Sequence, residues 1–425
     1  MKISPKQLII FGGVILAIVI FVLIYSFGAR PAAPPQIILT VWGVADSAQD
    51  FEGALAAYHA VRPNVEVKYT KFDPANYDQA LLEALAAGNG PDAFMIGNRS
   101  LPRSIAKIVP VSPTQLGLSE FRELFPRAPE DDFITSDGKI YALPLYLDTL
   151  ALFYNKDLFD QAGIASPPKT WEDFQTIIPQ LQSVDATGQI TKAAAAIGGS
   201  EKTVHAAADL VELLMMQNGA QMVSPDRTQA AFSDNRGLRA FNFYLQFSNP
   251  ASPSYAWNEG QENDLDSFAS GKTAMIFGYQ SDIAAIRQKN PFLSFAVAPI
   301  PQPSGTALSQ SFPKYVGFAV SKQSKNAGWA WDFIVYFTTN LQPEKLYLTA
   351  TGRPPALRSV IQEYSADPKV GVFAKQALTA RTWYEADDQK IGEVMNAAIV
   401  AVLTGRNDAA RALAQAADQV SQLMK

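Results

Sequence analysis

The 425-residue chain carries 40 acidic and 35 basic residues, a formal net charge of −5, and 48% hydrophobic against 18% charged residues. That balance belongs to a folded globule, and an acidic chain without a basic tract excludes nucleic acid as a partner. With no cysteine at all, disulfides, thiolate metal sites, cysteine nucleophiles and a lipid carried on an N-terminal cysteine are excluded together.

Lys2 and Lys6 precede an unbroken apolar run from Leu8 to Phe27. Near 20 residues at the helical rise is enough to cross a hydrocarbon core, whereas signal-peptide cores are about 7–15 residues. Gly28-Ala29-Arg30-Pro31 makes a poor cleavage site, so the run reads as an uncleaved signal anchor. Its basic flank keeps the N-terminus cytoplasmic, Arg30 weakening that bias slightly. A Pro/Ala-rich linker follows. The nearly 390 residues beyond it suffice for two lobes, since single cores stop growing at about 250–300 residues.

A strand-then-helix rhythm comes next: strand Ile37 to Trp42, amphipathic helix Ser47 to Arg62, strand Val65 to Tyr69, helix Tyr77 to Ala87 ended by Gly88, and strand Ala93 to Ile96. Alternation of this kind predicts a mostly parallel sheet with ligand sites at the carboxyl ends of its strands. Two such ends carry polar groups. Trp42-Gly43 is followed by Asp46-Ser47, and the third strand runs into Gly97-Asn98-Arg99-Ser100. Trp42 is equally a core aromatic, and Asn98 and Arg99 equally a cap and a surface charge.

Asp137-Gly138 makes a tight turn before a short strand, Ile140 to Leu143, that Pro144 stops. Asp148 stands alone between Leu147 and Thr149, as either a loop acid or a cleft acid. Leu150 to Tyr154 is the next strand, Asp157 the expected N-cap of a helix closing at Gly163, and Thr170 with Asp173 a capping box packed down by Trp171. Thr176 to Asn249 reads as mainly helical, with helices Ala206 to Gln217 and Asn235 to Phe247. Gly198-Gly199-Ser200-Glu201 is a loop that could offer backbone and hydroxyl donors. His59 and His205 lie in different helices and make neither a zinc site nor a catalytic pair.

Asp264 to Tyr279, DLDSFASGKTAMIFGY, places a helix with Leu265 and Phe268 inward before Gly271, then a buried strand Ala274 to Phe277. Its Gly-Lys-Thr is no phosphate loop. Asp266 stands where the motif needs glycine, and the tripeptide leads from helix into strand instead of the reverse. Tyr315 to Val320 is a further strand and Ala327 to Thr338 an aromatic-rich helix. Thr351-Gly352-Arg353-Pro354-Pro355 interrupts the chain. Ile391, Val394, Met395, Ala398 and Val402 stripe a late helix, Gly405 breaks it, and Asn407-Asp408 starts the last one.

Two of these segments, DGKIYALPLYLDTLALFYNKDLFDQAGIASPPKTWEDF (Asp137 to Phe174) and Asp264 to Tyr279, together resemble the family-1 extracellular solute-binding proteins, the maltose-binding-protein-like receptors of ABC importers. The resemblance covers everything after the linker. It implies an α/β, two-lobed periplasmic-binding-protein type II (Venus-flytrap) fold with an N-terminal transmembrane helix. The expected organisation is a cytoplasmic flank and anchor at 1–28, a linker at 29–36, an N-lobe from 37–147 plus 321–350, and a C-lobe from 148–315 plus 355–425. Three crossings near Asp148, Val316 and Gly352 would hinge the lobes on a ligand.

The resemblance also implies a cleft. Trp42, Tyr279, Trp257 and Trp383 would cover sugar faces, while Asp46, Asn98, Arg99, Asp148, Ser200 and Gln280 would meet hydroxyls. Asp148 is expected to face water in the empty cleft with no structural partner. Gln280 stands where many sugar-binding relatives carry tryptophan, which weakens a purely stacking site. The implied ligand is a sugar or oligosaccharide, the implied partner an ABC permease, and the membrane contact residues 8–27, with no cofactor, catalytic residue or metal. The soluble part would be extracytoplasmic. An anchored surface receptor for signalling uses the same cleft. An extracytoplasmic glycosidase would need two carboxylates about 5–10 Å apart, and Asp131-Asp132 and Asp387-Asp388 read as surface acids instead.

Overall fold

The computed structural model describes residues 4–27, 35–44, 46–306 and 309–425. Lys2, Arg30 and the expected linker up to residue 34 lie outside these residues. The first element is the helix Pro5–Phe27, 23 residues long. Its Ile9, Ile10, Phe11 and Leu16 are exposed and join neither of the two cores below. Among the described residues no helix is long and apolar enough to cross a membrane; the side chains of 7, 8 and 23–27 are not among those described.

Two sheets organise the rest. The first takes β1 (Ile37–Gly43), β2 (Val65–Lys71), β3 (Ala93–Gly97), β4 (Ile108–Val109) and β5 (Leu143–Pro144). Next in the chain come β6 (Asp148–Thr149), β7 (Ala151–Asn155), β8 (Ser183–Val184), β9 (Ile190–Ala195), β10 (Thr273–Gly278), β11 (Phe295–Ala298) and β12 (Pro313–Lys314). The last strand, β13 (Val316–Ser321), returns to the first sheet. The first sheet runs β2-β1-β3-β13-β4 with β5 beside β13, and the second β11-β7-β10-β9-β8. Both are mixed rather than mostly parallel. β1 is parallel to β2 and β3, and β9 to β10, but β13 and β7 enter from the opposite lobe and pair antiparallel to β3 and β10.

Local chemistry explains most element ends. Ser47 and Asp50 form a reciprocal capping box at Ala48–Val61, as do Thr170 and Asp173 at Trp171–Leu181. Asp73 caps Pro74–Ala86 with Pro74 in the first turn, so this helix starts ahead of the expected Tyr77. The cap of Lys156–Gln161 is Asn155, whose Oδ1 accepts from Leu158 N at 3.1 Å, not Asp157. Pro144 is the last residue of β5, opposite Gly317, an edge position where no amide N–H is required. Within the stretch read as mainly helical, Ile190–Ala195 is instead a strand of the second sheet.

Each sheet has its own core. Leu39, Phe94, Phe121, Phe133, Phe318 and Phe333 belong to the first; Leu152, Phe174, Val211, Phe241, Phe277 and Met395 to the second. Past residue 350 the expected division shifts. Ala356, Leu357, Val360 and Ile361 pack into the first core, and the second core resumes with Phe373 and Trp383. Trp257, expected in the cleft, is 0% exposed inside the second core.

Between the cores, the chain crosses as β6 paired antiparallel with β12, Asp148 opposite Lys314. Leu145 N donates to Val316 O, Leu150 N to Phe312 O and Leu147 N to Pro354 O at 2.8–3.2 Å, so three crossings lie side by side. Asp148 sits at this junction 2% exposed. Its Oδ1 accepts from Thr149 N and Gln280 N at 2.9 and 3.0 Å, and its Oδ2 from Ser281 N at 3.2 Å. The expected water-facing acid without a structural partner is therefore a buried acceptor that ties the crossing to the loop after β10. Burial pushes its carboxyl up to about 7 against the pull of those amides and Arg353.

Asp148→Ala removes the buried acceptor of the Thr149, Gln280 and Ser281 N–H groups, and is expected to cost about 2–4 kcal/mol of unfolding free energy; denaturant melts of the unliganded chain measure this, and an unchanged midpoint would refute the structural role. The pH dependence has a definite sign. Asp132, Asp148 and Glu344 are all raised to about 7, chiefly by burial. The folded chain therefore holds more protons than the unfolded one from about pH 4 to 7, and stability falls as pH rises through that window. Thermal melts should peak near pH ~4–5 and decline towards neutrality; a rise over that interval would show these carboxyls to be ionised in the fold.

Candidate ligand cleft between the lobes

β1 and β3 are parallel to each other, as are β9 and β10, so each pair ends together. In such sheets ligands bind beyond the carboxyl ends of the strands. Those ends, Gly43, Gly97, Ala195 and Gly278, carry the loops that face the other lobe.

The loop after β3 supplies Arg99. Its Nη2 donates to Asp209 Oδ1 at 2.9 Å, and its Nη1 to Glu385 Oε1 at 2.9 Å and Glu212 Oε2 at 3.3 Å. Asp209 and Glu212 lie on the helix Ala207–Gln217, three residues apart and hence on one face. Both belong to the second lobe, as does the Trp383-to-Glu385 loop. Around them Tyr279 OH donates to Asp209 Oδ2 at 2.8 Å and Trp383 Nε1 to Glu212 Oε2 at 2.9 Å. Lys314 Nζ stands 4.0 Å from Asp209 and 5.3 Å over the Tyr279 ring, and Arg99 lies 5.0 Å over Phe312. A second bridge joins the lobes beside it. Ser100 Oγ and Arg103 Nε donate to Asp388 at 2.9 and 2.8 Å, at the start of the helix Asp388–Leu403.

Electrostatics at the cluster are one-sided. Burial alone would lower Arg99, but Glu385, Asp209 and Glu212 overcome it and keep the guanidinium charged. Asp209 is held below its ordinary range because Arg99, Lys314 and Tyr279 outweigh its burial. For Glu212 and Glu385 burial wins over Arg99 and raises both carboxyls. Glu212 Oε1 and Glu385 Oε2 are buried with no hydrogen-bond partner.

The floor of the first lobe is balanced instead. Asp46 accepts from Arg353 Nη2 at 3.0 Å and from Tyr347 OH at 2.5 Å, and Arg353 lies 4.6 Å over Tyr146. Trp42 is half-buried with its ring 4.3 Å from Phe72. Asn98 is 3% exposed; it donates to Asp132 Oδ2 at 3.1 Å and accepts from Tyr315 N at 3.2 Å.

On the opposite side, Ser200 is turned inward to Glu259, at 2.7 Å through N and 2.8 Å through Oγ. The loop carrying Tyr279 and Gln280 is fixed from behind by His205. Its Nδ1 lies 2.7 Å from Asp264 and its Nε2 3.1 Å from Asp282, which also accepts from Tyr279 N at 2.7 Å. Burial would lower His205, but the two carboxylates outweigh it and hold the imidazolium to about pH 10.

Of the residues singled out from sequence, Arg99, Tyr279 and Trp383 thus converge on one cluster. Trp42, Asp46 and Asn98 lie on the first lobe's side, Asp148 and Gln280 at the crossing, and Ser200 and Trp257 away from it. Asp209, Glu212 and Arg353 were not singled out. Asp209 and Glu212 are embedded in an apolar helix sequence, AADLVELL, and that anomaly was their only signal. Two cavities adjoin the cluster and the crossing. One of about 260 Å³ is lined by Asn98, Arg99, Asp132, Arg227, Trp383 and Glu385 among others. The other, of about 620 Å³, is lined by Gln280, Arg287, Val297, Gly352, Arg353 and Lys369 among others.

The family model for bacterial extracellular solute-binding proteins matches residues 53–374. A binding protein of Brucella abortus (strain 2308) is 25% identical over 297 residues, 66% of this chain and 66% of that protein's length. The maltotriose-binding protein of Pyrococcus abyssi is 23% identical over 352 residues, 77% of this chain and 68% of that protein. Among solved structures, the cyclic alpha-maltosyl-1,6-maltose binding protein of Arthrobacter globiformis superposes with a TM-score of 0.77 at 19% identity, covering 92% of this chain and 99% of that one. With two lobes facing each other across the ends of their strands and the family model spanning both, the chain belongs to the bacterial extracellular solute-binding proteins, of the maltose-binding-protein-like kind.

Proposed function

We propose that this chain captures a sugar or oligosaccharide between its lobes, outside the cytoplasm, and delivers it to the permease subunits of an ABC importer. The observation that carries this reading is the interlobe cluster. Arg99 of one lobe and Asp209, Glu212 and Glu385 of the other meet at the carboxyl ends of the strands, with Tyr279 and Trp383 beside them. Polar groups with fixed partners and aromatic side chains are what a hydroxylated, partly apolar ring requires. Relatives named for maltotriose, diacetylchitobiose and maltodextrin add support. As a member of this family the chain is a binding protein and not an enzyme.

Membrane attachment is part of the proposal. The helix Pro5–Phe27 has 23 residues, about 34 Å at the helical rise, and the sequence is apolar from Leu8 to Phe27. An anchor of that length would hold the cleft near its permease.

Thermal shift of the full chain against maltooligosaccharides, mannooligosaccharides and chitooligosaccharides should give at least one binder. At about 100 times its Kd such a ligand adds about 2.7 kcal/mol, and chromatography should return it uncleaved. Silence across the panel would sink the carbohydrate reading. Intact-mass analysis of membrane-extracted protein should find residues 8–27 retained; a mature chain beginning after them would remove the anchor.

A further inference from the structure

Among the described residues the second lobe brings more carboxyl groups to the cleft than there are cations paired with them. Asp209, Glu212 and Glu385 surround one guanidinium, and exposed Glu201 lies close enough to act on Asp209 and Glu212. Paired with them are Arg99 and, at 4.0 Å from Asp209, the well-exposed Lys314, while Arg227 lines the adjoining cavity over the Tyr384 ring. Glu212 and Glu385 are each 1% exposed, yet each keeps one carboxylate oxygen without a partner. Buried oxygens of this kind are rare in folded proteins and each calls for an explanation. A neutral hydroxyl could donate to such an oxygen but would bring no positive charge to offset the burial that raises these carboxyls. A divalent cation would compensate it, but among the described residues no three acidic or histidine groups converge closely enough to hold one.

Arg99 belongs to the first lobe, so when the lobes part it leaves the acids behind. The wall then offers carboxylates beside Trp383 and Tyr279, which are already hydrogen-bonded to Glu212 and Asp209. Carboxylates next to aromatic faces suit an organic ammonium group, and the Tyr279 ring already accepts one such cation, Lys314, at 5.3 Å. The cavity of about 260 Å³ that Glu385 helps to line gives the rest of a sugar unit room beside this wall.

We infer that the ligand carries a protonated amine, as an amino-sugar unit within an oligosaccharide, and that Glu212, Glu385 and Asp209 take up its ammonium in the place Arg99 fills in this structure. This rests on the carbohydrate-capture reading and sharpens it. The amine supplies the charge and the N–H donors that the orphan oxygens lack, while its ring and hydroxyls meet the aromatic and polar groups around them.

The test titrates the full chain calorimetrically at pH 6.5 with the glucosamine tetramer, its fully N-acetylated counterpart and cellotetraose, which share one ring stereochemistry and differ at the second carbon. The amine form is expected to bind at least ~10-fold more tightly than either neutral form, a difference of about 1.4 kcal/mol. Glu212→Gln and Glu385→Gln, made separately so that one failing to fold leaves the other informative, should each erase that preference while keeping the melting temperature. Equal or tighter binding of a neutral tetramer, or an amine preference that survives both substitutions, overturns the inference and leaves sugar capture standing. No binding by any of the three, together with silence across the neutral oligosaccharide panel, overturns both.

Discussion

A single buried guanidinium governs how the halves of this molecule meet. Arg99 is drawn out of water on the side of one lobe and compensated only by acids of the other, so the ion pairs exist only when the lobes are together. Taking those charges out of water costs several kcal/mol per ion, and their attraction repays it only when the geometry is good and every polar atom is satisfied. Here two carboxylate oxygens are not. Closure by Arg99 alone is accordingly a near balance of large opposing terms, which is the condition under which a ligand of ordinary affinity can decide between open and closed.

The crossing beneath the cluster is built on the opposite principle. Asp148 has backbone donors on both oxygens. Gln376 Nε2 donates to Thr149 Oγ1 and Leu150 O at 3.1 Å, and its Oε1 accepts from Ile300 N at 2.8 Å. His205 holds the Tyr279 loop between two carboxylates. Groups this fully satisfied resist rearrangement, which holds the crossing and the Tyr279 loop in one arrangement.

Much of this was legible in the sequence, for reasons that are local. The capping box at Thr170, glycines ending helices at Gly88 and Gly271, and alternation of strand with helix are short-range signals, and they located most elements. The strand Ile190–Ala195 was missed because, after Ile190 and Thr191, its ITKAAA sequence is a lysine and three alanines, residue types depleted in strands; tertiary burial between β8 and β10 decides it. Position at a strand's carboxyl end pointed to Arg99, and the family resemblance to Tyr279 and Trp383. Neither could say that Asp148 spends its lone pairs on the backbone, that Trp257 is enclosed in a core, or that Ser200 faces Glu259, because each depends on contacts between residues far apart in the chain. Asp209 and Glu212 fell within a helix whose apolar pattern hid them.

The two walls of the cleft also divide the work of recognition unequally. On the first lobe Asp46 is matched by Arg353 and Tyr347, Asn98 is bound to Asp132 and Tyr315, and Trp42 lies against Phe72. These groups are charge-balanced and already partnered, so they give a ligand shape and surface more than charge. The second lobe keeps both the surplus of carboxylate and the aromatic groups beside it. Discrimination between ligands of similar outline comes from groups left unpaired by the wrong one, and the buried oxygens without a partner in the cluster, Glu212 Oε1 and Glu385 Oε2, are on that second wall. Arg99 closes the asymmetry: it carries a first-lobe charge into the second lobe's cluster.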